Sequence, residues 1–261
     1  MLGAIAGDLV GSRFEARPTK NKDFELLTPQ CRITDDSVLS LAVAQSLMEG
    51  IPYAENLKAF FRRYPAAGYG GNFMLWAASG DREPYYSFGN GSAMRVAPVG
   101  WHRNAQEEVL REAERSAAVT HNHPEGIKGA QAVALAVFLA RQSLDRESIR
   151  REIQERFQYD LSRYLRDIRP EYRFDVSCQG SVPEALIAFL EAEDFEDALR
   201  NAVSLGGDSD TQACIAGAVA EAFFGGIPHA LCEAVFRELD SFQADILQRF
   251  LSQTQGRSSP C

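Results

Sequence analysis

Residues 203–222 limit the possible folds of this 261-residue chain more than any other stretch. They contain a tight acidic turn between two apolar, alanine-rich helical patterns. The turn holds two glycines, then Asp208 and Asp210 one residue apart, and then the hydroxyl of Thr211. Glycine permits a tight turn and a close approach of the main chain to a ligand. Two neighbouring carboxylates repel each other unless a cation or a proton lies between them. The turn is therefore either a capped helix start or part of a site for a hard divalent cation, and on its own it favours neither.

A second acidic cluster, Thr34-Asp35-Asp36-Ser37, repeats this arrangement and also opens an alanine-rich helical pattern. Together the two turns would supply four carboxylates and two hydroxyls, enough to hold a pair of Mg²⁺ ions with positions left open for substrate and water. Four facing carboxylates without cations would repel one another strongly. The alternative is that the turns cap two helices on opposite sides of the molecule. Residue chemistry alone does not favour either of these two interpretations.

The composition predicts a globular, mainly helical protein, since 45% of the residues are hydrophobic and β-branched runs are scarce. A net charge of −9 disfavours a broad nucleic-acid or anionic-membrane surface. No apolar run approaches the roughly 20 residues that span a bilayer, and the first residues lack the basic region of a signal peptide. The five cysteines show no Cys-x-x-Cys spacing and are expected to be reduced, mostly structural thiols. We therefore expect a cytoplasmic protein without a membrane partner, and a monomer is favoured.

Apolar spacing of three to four residues predicts an all-α chain with a single domain over residues 1–250 and a disordered tail over residues 251–261. Loops rich in glycine and aromatic residues are expected to line a site between residues 66 and 106. A further loop is expected at residues 160–181. Helices are predicted near residues 2–12, 37–49, 56–63, 71–79, 92–98, 107–120, 125–143, 146–159, 182–191, 195–204, 209–224 and 229–250.

Three further motifs carry polar groups that could belong to the same site. Asp8 interrupts an apolar helix and Glu15 follows it, so a carboxylate there could act as an acid or base, although Asp8 could simply bind backbone and a surface charge is favoured for Glu15. The glycine segment 85–95 suits phosphate binding through backbone N–H groups at a helix N-terminus, although an aromatic beside glycine is more often packing. A neutral His121 could donate to a phosphate oxygen, whereas His123 is expected to cap helix 107–120.

These motifs together resemble the ADP-ribosylglycohydrolase family, in order and spacing, from about residue 2 to residue 228. The resemblance implies a single compact, orthogonal, all-α helical domain with a dinuclear centre, Mg²⁺ preferred and Mn²⁺ as the alternative, that removes ADP-ribose from its acceptor. The stretch Tyr64-Pro65-x-x-Gly68-Tyr69-Gly70 is similar to the branch that acts on serine-linked and other O-linked ADP-ribose. The motifs that carry the resemblance are Gly7-Asp8-x-x-Gly11-Ser12-x-x-Glu15, Thr34-Asp35-Asp36, Gly89-Asn90-Gly91-Ser92-Ala93-Met94-Arg95, Thr120-His121 and Gly206-Gly207-Asp208-Ser209-Asp210-Thr211.

The resemblance also implies roles for individual residues. Glu15 becomes a mobile carboxylate near the metals and the leaving group, with Asp36 and Asp208 as further catalytic residues. Tyr86 stands where the O-linked branch has a glycine, which leaves the course of the phosphate loop open. The implied metal ligands are Thr34, Asp35, Asp36, Asp208, Asp210 and Thr211. The implied substrate-binding residues are Gly70, Ser87, Phe88, Gly89, Asn90, Gly91 and His121.

The implied reaction is hydrolysis at the anomeric carbon of the distal ribose, in which the ions orient the ribose and a carboxylate transfers a proton. The expected partner is ADP-ribose or an ADP-ribosylated protein, with the linkage left open. Two other classes fit the same residues: a two-metal nucleotide phosphohydrolase or pyrophosphatase, and a non-catalytic ADP-ribose-binding protein. The presence of every acidic ligand argues against the last of these.

Overall fold

The computed structural model describes residues 1–255, which contain α-helices and no β-strand. A 3-10 turn, Ser12–Phe14, follows the first helix directly. The helices are α1 (Leu2–Gly11), α2 (Asp35–Glu49), α3 (Tyr53–Arg63), α4 (Gly71–Ala78), α5 (Gly91–Met94), α6 (Ala97–His102), α7 (Gln106–Ala118), α8 (Pro124–Arg141), α9 (Arg146–Phe157), α10 (Leu165–Ile168), α11 (Cys178–Leu190), α12 (Phe195–Val203), α13 (Ser209–Phe224), α14 (His229–Glu238) and α15 (Ser241–Gln255).

The two central helices, α1 and α13, cross in contact along a row of glycines. Gly3, Gly7 and Gly11 recur every fourth residue and therefore share one face of α1. A β-carbon built on Gly7 would lie 2.0 Å from the carbonyl oxygen of Ala213, and one on Gly11 would lie 2.4 Å from that of Ser209. Only glycine fits at this separation, so the C-terminal end of α1 lies directly against the N-terminal end of α13.

The remaining helices bury α1 and α13 from both sides. Every residue of α1 is buried, and most of α13 is buried as well. Helices α11 and α12 pack on α13, while α8 contacts α5, α6, α7, α9, α11 and α13. Helix α2 packs against α3, α6 and α15. The amino ends of α2 and α13, which carry the two acidic clusters, are thereby placed in the interior of the protein.

The prediction of a single compact all-α domain is confirmed for the described residues, and most helix boundaries agree within a few residues. Residues 92–98, however, form parts of two helices, α5 and α6. Pro98 lies in the first turn of α6, where its missing N–H is not needed. The loop expected at residues 160–181 contains α10 and the start of α11. Ser177 caps α11 by accepting a hydrogen bond from the Gly180 amide at 3.1 Å, five residues before the predicted start.

The segment 229–250 was predicted as one helix and forms two, α14 and α15. Asp240 Oδ1 accepts from the Gln243 amide at 2.8 Å, and Gln243 Oε1 accepts from the Asp240 amide at 3.1 Å. This reciprocal pair is a capping box that starts α15. Helix α15 continues to Gln255 and Leu251 is buried, so the prediction of a disordered tail is wrong for residues 251–255. The rest of that prediction, residues 256–261, lies outside the described residues.

Two further expectations from the sequence concern membranes and cysteines. None of the helices within residues 1–255 has the length and apolar character needed to cross a membrane. Cys31, Cys178 and Cys214 are buried free thiols, as expected, whereas Cys232 is disulfide-bonded, so the expectation of a reduced thiol is wrong for Cys232.

Candidate functional site

A carboxylate from α1 holds the start of α2. Asp8 is fully buried, and its Oδ2 accepts from the amides of Thr34 at 2.8 Å and Ser37 at 3.1 Å. Its Oδ1 accepts from the Thr34 hydroxyl at 2.7 Å, and the Ser37 hydroxyl donates to Oδ2. The binding to buried backbone that the sequence allowed for Asp8 is therefore present. Asp8 caps the helix from outside and fixes the first acidic turn.

The second acidic turn meets the first one directly. Gly206 adopts a φ of +67°, which turns the chain out of α12 and toward the start of α13. The Thr211 hydroxyl then donates to Asp36 Oδ2 at 3.3 Å, across 175 positions of sequence. The alternative in which the two turns cap helices on opposite sides of the molecule is therefore excluded.

The carboxylates form two groups that share one member. Oxygen atoms of Asp8, Asp36 and Asp210 lie within 4.8 Å of one another, and so do those of Glu15, Asp208 and Asp210. Asp36 Oδ1 is buried and has no hydrogen-bond partner in the described part of the chain. A buried, unpartnered carboxylate oxygen is costly unless a cation satisfies it. Hard divalent cations prefer all-oxygen ligand sets, so these residues fit a pair of such ions.

Burial raises the pKa of every carboxyl group in these clusters. For Asp36 the neighbouring Asp210 raises the pKa further, and for Asp35 burial and Asp8 raise the pKa to about 8. For Glu15 burial acts first and Asp208 second. Without cations the clusters would therefore retain protons, whereas bound cations would favour the ionised form. The carboxyl groups with raised pKa values are Asp8, Glu15, Asp35, Asp36, Asp208 and Asp210.

The acidic clusters, the glycine loop and His121 line one pocket of about 310 Å³. Phe88 is the one proposed site residue that does not line it. The proposed site residues that do are Glu15, Thr34, Asp35, Asp36, Gly70, Ser87, Gly89, Asn90, Gly91, His121, Asp208, Asp210 and Thr211. The structure thus brings together residues that the sequence separates by almost 200 positions.

The glycine loop is tied to the acidic clusters by Asn90. Its Nδ2 donates to Asp208 Oδ2 at 2.7 Å, so this amide contacts a proposed ligand as well as lining the pocket. Several amides of the loop already have protein acceptors; among them, Gly89 donates to Ser87 Oγ at 3.1 Å, and Asn90 donates to the Val176 carbonyl at 2.7 Å. The helix that follows, α5, is a single turn of four residues. The helix N-terminus expected there is correspondingly short.

Tyr86 and Phe88 pack outside the pocket against His123. Tyr86 has a φ of +54°, a conformation that glycine adopts readily and other residues rarely, and its amide donates to Asn122 Oδ1 at 2.8 Å. The ring centroids of Tyr86 and His123 are 4.8 Å apart, and those of the half-exposed Phe88 and His123 are 5.4 Å apart. His123 Nδ1 accepts from the Glu125 amide at 3.1 Å. It therefore caps α8, and the expectation that it caps helix 107–120 is wrong.

His121 is buried beside the glycine loop. Burial lowers the pKa of His121 well below its usual range, and the nearby positive charge of Arg95 lowers it further. The imidazole is therefore neutral at physiological pH, as the sequence analysis expected. The edge of the Tyr85 ring packs on it at 5.8 Å between ring centroids.

Several pocket residues were not identified from the sequence. Arg32 precedes the first acidic turn, and Phe174 and Val176 come from the loop before α11. The loop position is fixed by the hydrogen bond from the Asn90 amide to Val176, for which the sequence carries no pattern. The capping role of Asp8 was weighed but could not be chosen, because its partners lie 26 and 29 positions away.

The chain is similar to known proteins along its whole described length. Residues 1–258 match the family profile described as ADP-ribosylglycohydrolase. A protein of Archaeoglobus fulgidus is 30% identical and is covered over 90% of both chains. ADP-ribosylhydrolase ARH3 of Bos taurus is 26% identical, over 86% of this chain and 84% of that protein. ADP-ribosylarginine hydrolase Tri1 of Pseudomonas putida is 25% identical, over 90% of this chain and 72% of that protein.

A solved structure shares the fold. It is described as an ADP-ribosylglycohydrolase-related protein complex and superposes with a TM-score of 0.71, over 97% of this chain and 96% of its own. At 24% sequence identity, this likeness establishes the helical architecture.

Proposed function

Because the chain belongs to the ADP-ribosylglycohydrolase family and is a hydrolase of that family, we propose that it cleaves the bond between C1″ of ADP-ribose and its acceptor, releasing ADP-ribose. The acceptor is a protein side chain or a small-molecule conjugate. We further propose that two divalent cations, Mg²⁺ in preference to Mn²⁺, are required.

The observation that carries this proposal is the meeting of the two acidic turns in the pocket. The Thr211 hydroxyl donates a hydrogen bond to Asp36, and Asp210 belongs to both clusters of carboxylates. The unpartnered Asp36 Oδ1 and the raised pKa values describe a site that is incomplete without positive charge. The ions would be held by Thr34, Asp35, Asp36, Asp208, Asp210 and Thr211, and when bound they would supply the charge that orients ribose hydroxyls and water.

The residues around these turns have distinct tasks in the proposed reaction. Glu15 is exposed at the pocket rim beside Asp208, so it is the carboxyl group placed to exchange protons with the leaving acceptor and with water. Asp8 orients the first turn from behind, and Asn90 orients Asp208 from the glycine loop. Ser87 and His121, which also line the pocket, would hold the phosphates, so that binding energy remote from the bond fixes the ribose in place.

Arg32 favours an O-linked acceptor over an arginine-linked one. It lines the same pocket as Glu15, and its positive charge opposes the rise in the pKa of Glu15. A guanidinium leaving group would meet like charge there, whereas a serine hydroxyl or an ester would not. We therefore propose O-linked ADP-ribose as the substrate class, although the similar protein Tri1 is named an arginine hydrolase.

A release assay tests the reaction and the linkage together. Serine-linked, ester-linked and arginine-linked ADP-ribosyl conjugates are incubated with the protein in the presence of Mg²⁺, Mn²⁺ or a chelator. Products are identified by mass spectrometry. Free ADP-ribose from the O-linked conjugates, lost with chelator, is the expected result.

Other outcomes would replace the proposal. AMP with ribose phosphate would indicate a pyrophosphatase that attacks phosphorus, and binding of ADP-ribose without turnover of any conjugate would indicate a binding protein. Preferential release from arginine would contradict the role given to Arg32 while leaving the hydrolase in place. Undiminished release with chelator would contradict the role of the cations.

A further inference from the structure

Arg95 is fully buried and forms no ion pair within residues 1–255, where Asp35 acts on it only at longer range. Its Nη2 donates to the carbonyl of Ser116 at 3.2 Å and to the hydroxyl of Thr120 at 2.8 Å, and both acceptors are neutral. Its Nε and Nη1 atoms have no hydrogen-bond partner in residues 1–255. Burying a guanidinium in this way costs free energy that an apolar side chain would not. Arg95 also borders the pocket, so a role in the site accounts for a residue that packing alone would not favour.

The Thr120 hydroxyl links this cation to His121. Its Oγ1 lies 2.7 Å from His121 Nδ1 and 3.5 Å from the Ala117 carbonyl. Because a guanidinium can only donate, Oγ1 must accept from Arg95, and the single hydroxyl proton is left for His121 Nδ1, the Ala117 carbonyl or the hydroxyl of Tyr85, which also interacts with Thr120. The shorter contact, to Nδ1, is the stronger one.

Donation from Thr120 to Nδ1 determines which ring nitrogen of His121 carries a proton. Nδ1 then uses its lone pair, and in a neutral ring the proton must be on Nε2. In the opposite tautomer Oγ1 would accept two donors, and its own proton would be left for the 3.5 Å contact to Ala117 or for the Tyr85 hydroxyl, while the short contact to Nδ1 would gain nothing from the Thr120 proton.

His121 Nε2 faces the backbone of the glycine loop. A β-carbon built on Gly91 would lie 3.1 Å from Nε2, and one on Gly89 would lie 3.7 Å from it. No group in the described part of the chain forms a hydrogen bond with Nε2, and His121 lines the pocket. A protonated Nε2 presents a donor to an anionic oxygen there, while an unprotonated one would present a lone pair.

We propose that Arg95 is a positioning residue that acts through Thr120 to hold His121 as the Nε2–H tautomer, so that the ring donates to a phosphate oxygen of the ligand. The assignment of the tautomer stands on the contacts of the ligand-free protein. The consequence for ADP-ribose binding rests on the proposed function.

Nitrogen-15 NMR of the histidine side chains reads the tautomer directly. The chain has four histidines, and His121→Gln identifies the resonances of His121. Wild-type protein is expected to show a protonated Nε2 and an unprotonated Nδ1. Thr120→Val, which keeps the shape and removes the hydroxyl, is expected to lose this preference, and Thr120→Ser is expected to restore it. Arg95→Met should weaken the preference as well, because Thr120 then no longer has to accept from a cation.

Calorimetric titration with ADP-ribose gives the second readout. Loss of one hydrogen bond to a charged oxygen predicts about tenfold weaker binding for Thr120→Val, with Thr120→Ser close to wild type. Thr254→Val is the matched control, since the Thr254 hydroxyl bonds to the carbonyl of Phe250 in α15. It should change neither the tautomer nor the affinity. Thermal unfolding of each variant shows whether it remains folded.

Each outcome separates this proposal from the proposed function. A protonated Nδ1 or an imidazolium in the wild-type protein would overturn the proposal, whatever the enzyme hydrolyses. An unchanged tautomer and affinity in folded Thr120→Val would overturn it too. If the tautomer is as expected and no variant binds ADP-ribose, the positioning role stands and the proposed function fails.

Discussion

Asn90 donates from its side-chain amide to the carboxylate of Asp208 at 2.7 Å, so the glycine loop and the second acidic turn are joined by a direct hydrogen bond. Groups that orient a metal ligand are commonly needed for full metal affinity. The loop expected to hold phosphate is thus also bonded to the acidic cluster that we propose as the cation site.

Asn90→Ala is therefore expected to weaken the binding of Mg²⁺ or Mn²⁺ by about 10- to 100-fold, because Asp208 loses the donor that orients it. Metal titration calorimetry and the metal dependence of ADP-ribose release measure this. Asn104→Ala, which removes an amide bonded to Arg141 on the surface, serves as the control. Wild-type metal affinity in Asn90→Ala would show that the bond does not orient a ligand.

Asp36→Asn is expected to abolish metal-dependent hydrolysis and to stabilise the metal-free protein. The substitution keeps the shape and removes an ionisable group whose charged form is disfavoured by burial and then by Asp210, as its raised pKa indicates. In chelator, a gain of about 1 kcal/mol would raise the Tm by roughly 2–4 °C. Differential scanning calorimetry with and without Mg²⁺ measures both effects, and Asp167→Asn on the exposed surface is the control. A variant that retained activity and metal content would remove Asp36 from the site.

The stability of the metal-free protein is expected to fall as the pH rises. Burial, followed by Asp8, raises the pKa of Asp35 from 3.8 to about 8, so the folded state binds more protons than the unfolded state between these values. A group of this kind stabilises the fold below its unfolded pKa and loses that contribution as the pH passes through its folded pKa. Tm values in chelator should therefore decrease from about pH 4 to about pH 8.

Added Mg²⁺ should reverse this loss most strongly at the alkaline end, since cations bind the ionised carboxylates. Asp36→Asn should show a shallower dependence in chelator. A Tm in chelator that rises steadily over this range would show that the carboxylates are ionised without cations.

Gly7→Ala is expected to destabilise the fold by about 3 kcal/mol, because the new methyl group would lie 2.0 Å from the Ala213 carbonyl oxygen. The same change should weaken metal binding, since α1 carries Asp8 and α13 carries Asp210. Urea unfolding and metal titration measure the two effects. Gly80→Ala, where a β-carbon has no neighbour within 4 Å, should be close to neutral. Equal stability of the two variants would mean that the helices can separate at little cost.

Tyr86→Gly is expected to be more stable than Tyr86→Ala by about 1 kcal/mol, because only glycine tolerates a φ of +54° without strain. Both variants lose the ring contact with His123, so their difference isolates the backbone. Urea unfolding of the pair measures it. An alanine variant as stable as the glycine variant would show that the loop relaxes to an ordinary conformation.

The sequence predicted those parts of the fold that depend on local patterns. The alanine-rich helices after Asp36 and Asp208 were identified because each begins at an acidic cluster and continues with apolar spacing. The division between α14 and α15 was missed, although Asp240-Ser-Phe-Gln243 carries the signature of a capping box. The apolar pattern on both sides of it was continuous enough to hide the break.

The site was harder to predict because its connections cross the chain. Chemistry could propose that the two acidic turns meet, but the hydrogen bond from Thr211 to Asp36 depends on how closely α1 and α13 pack. The cap that Asp8 places on α2 has no local signature at all. For the same reason nothing in the sequence indicated that Arg95 contacts Thr120, which in turn contacts His121.

The glycine row on α1 links the spacing between two helices to the arrangement of carboxylates in the pocket. Helices α1 and α13 pack at a short interhelical distance, which is possible because positions 3, 7 and 11 carry only hydrogen atoms. This distance sets the separation between Asp8 and Asp210. A methyl group at any of these glycines would push the two helices apart and would increase the separation of their carboxylates, even from several turns away. Redesign of the proposed cation site could therefore begin in the core, at glycines that lie outside the carboxylate clusters.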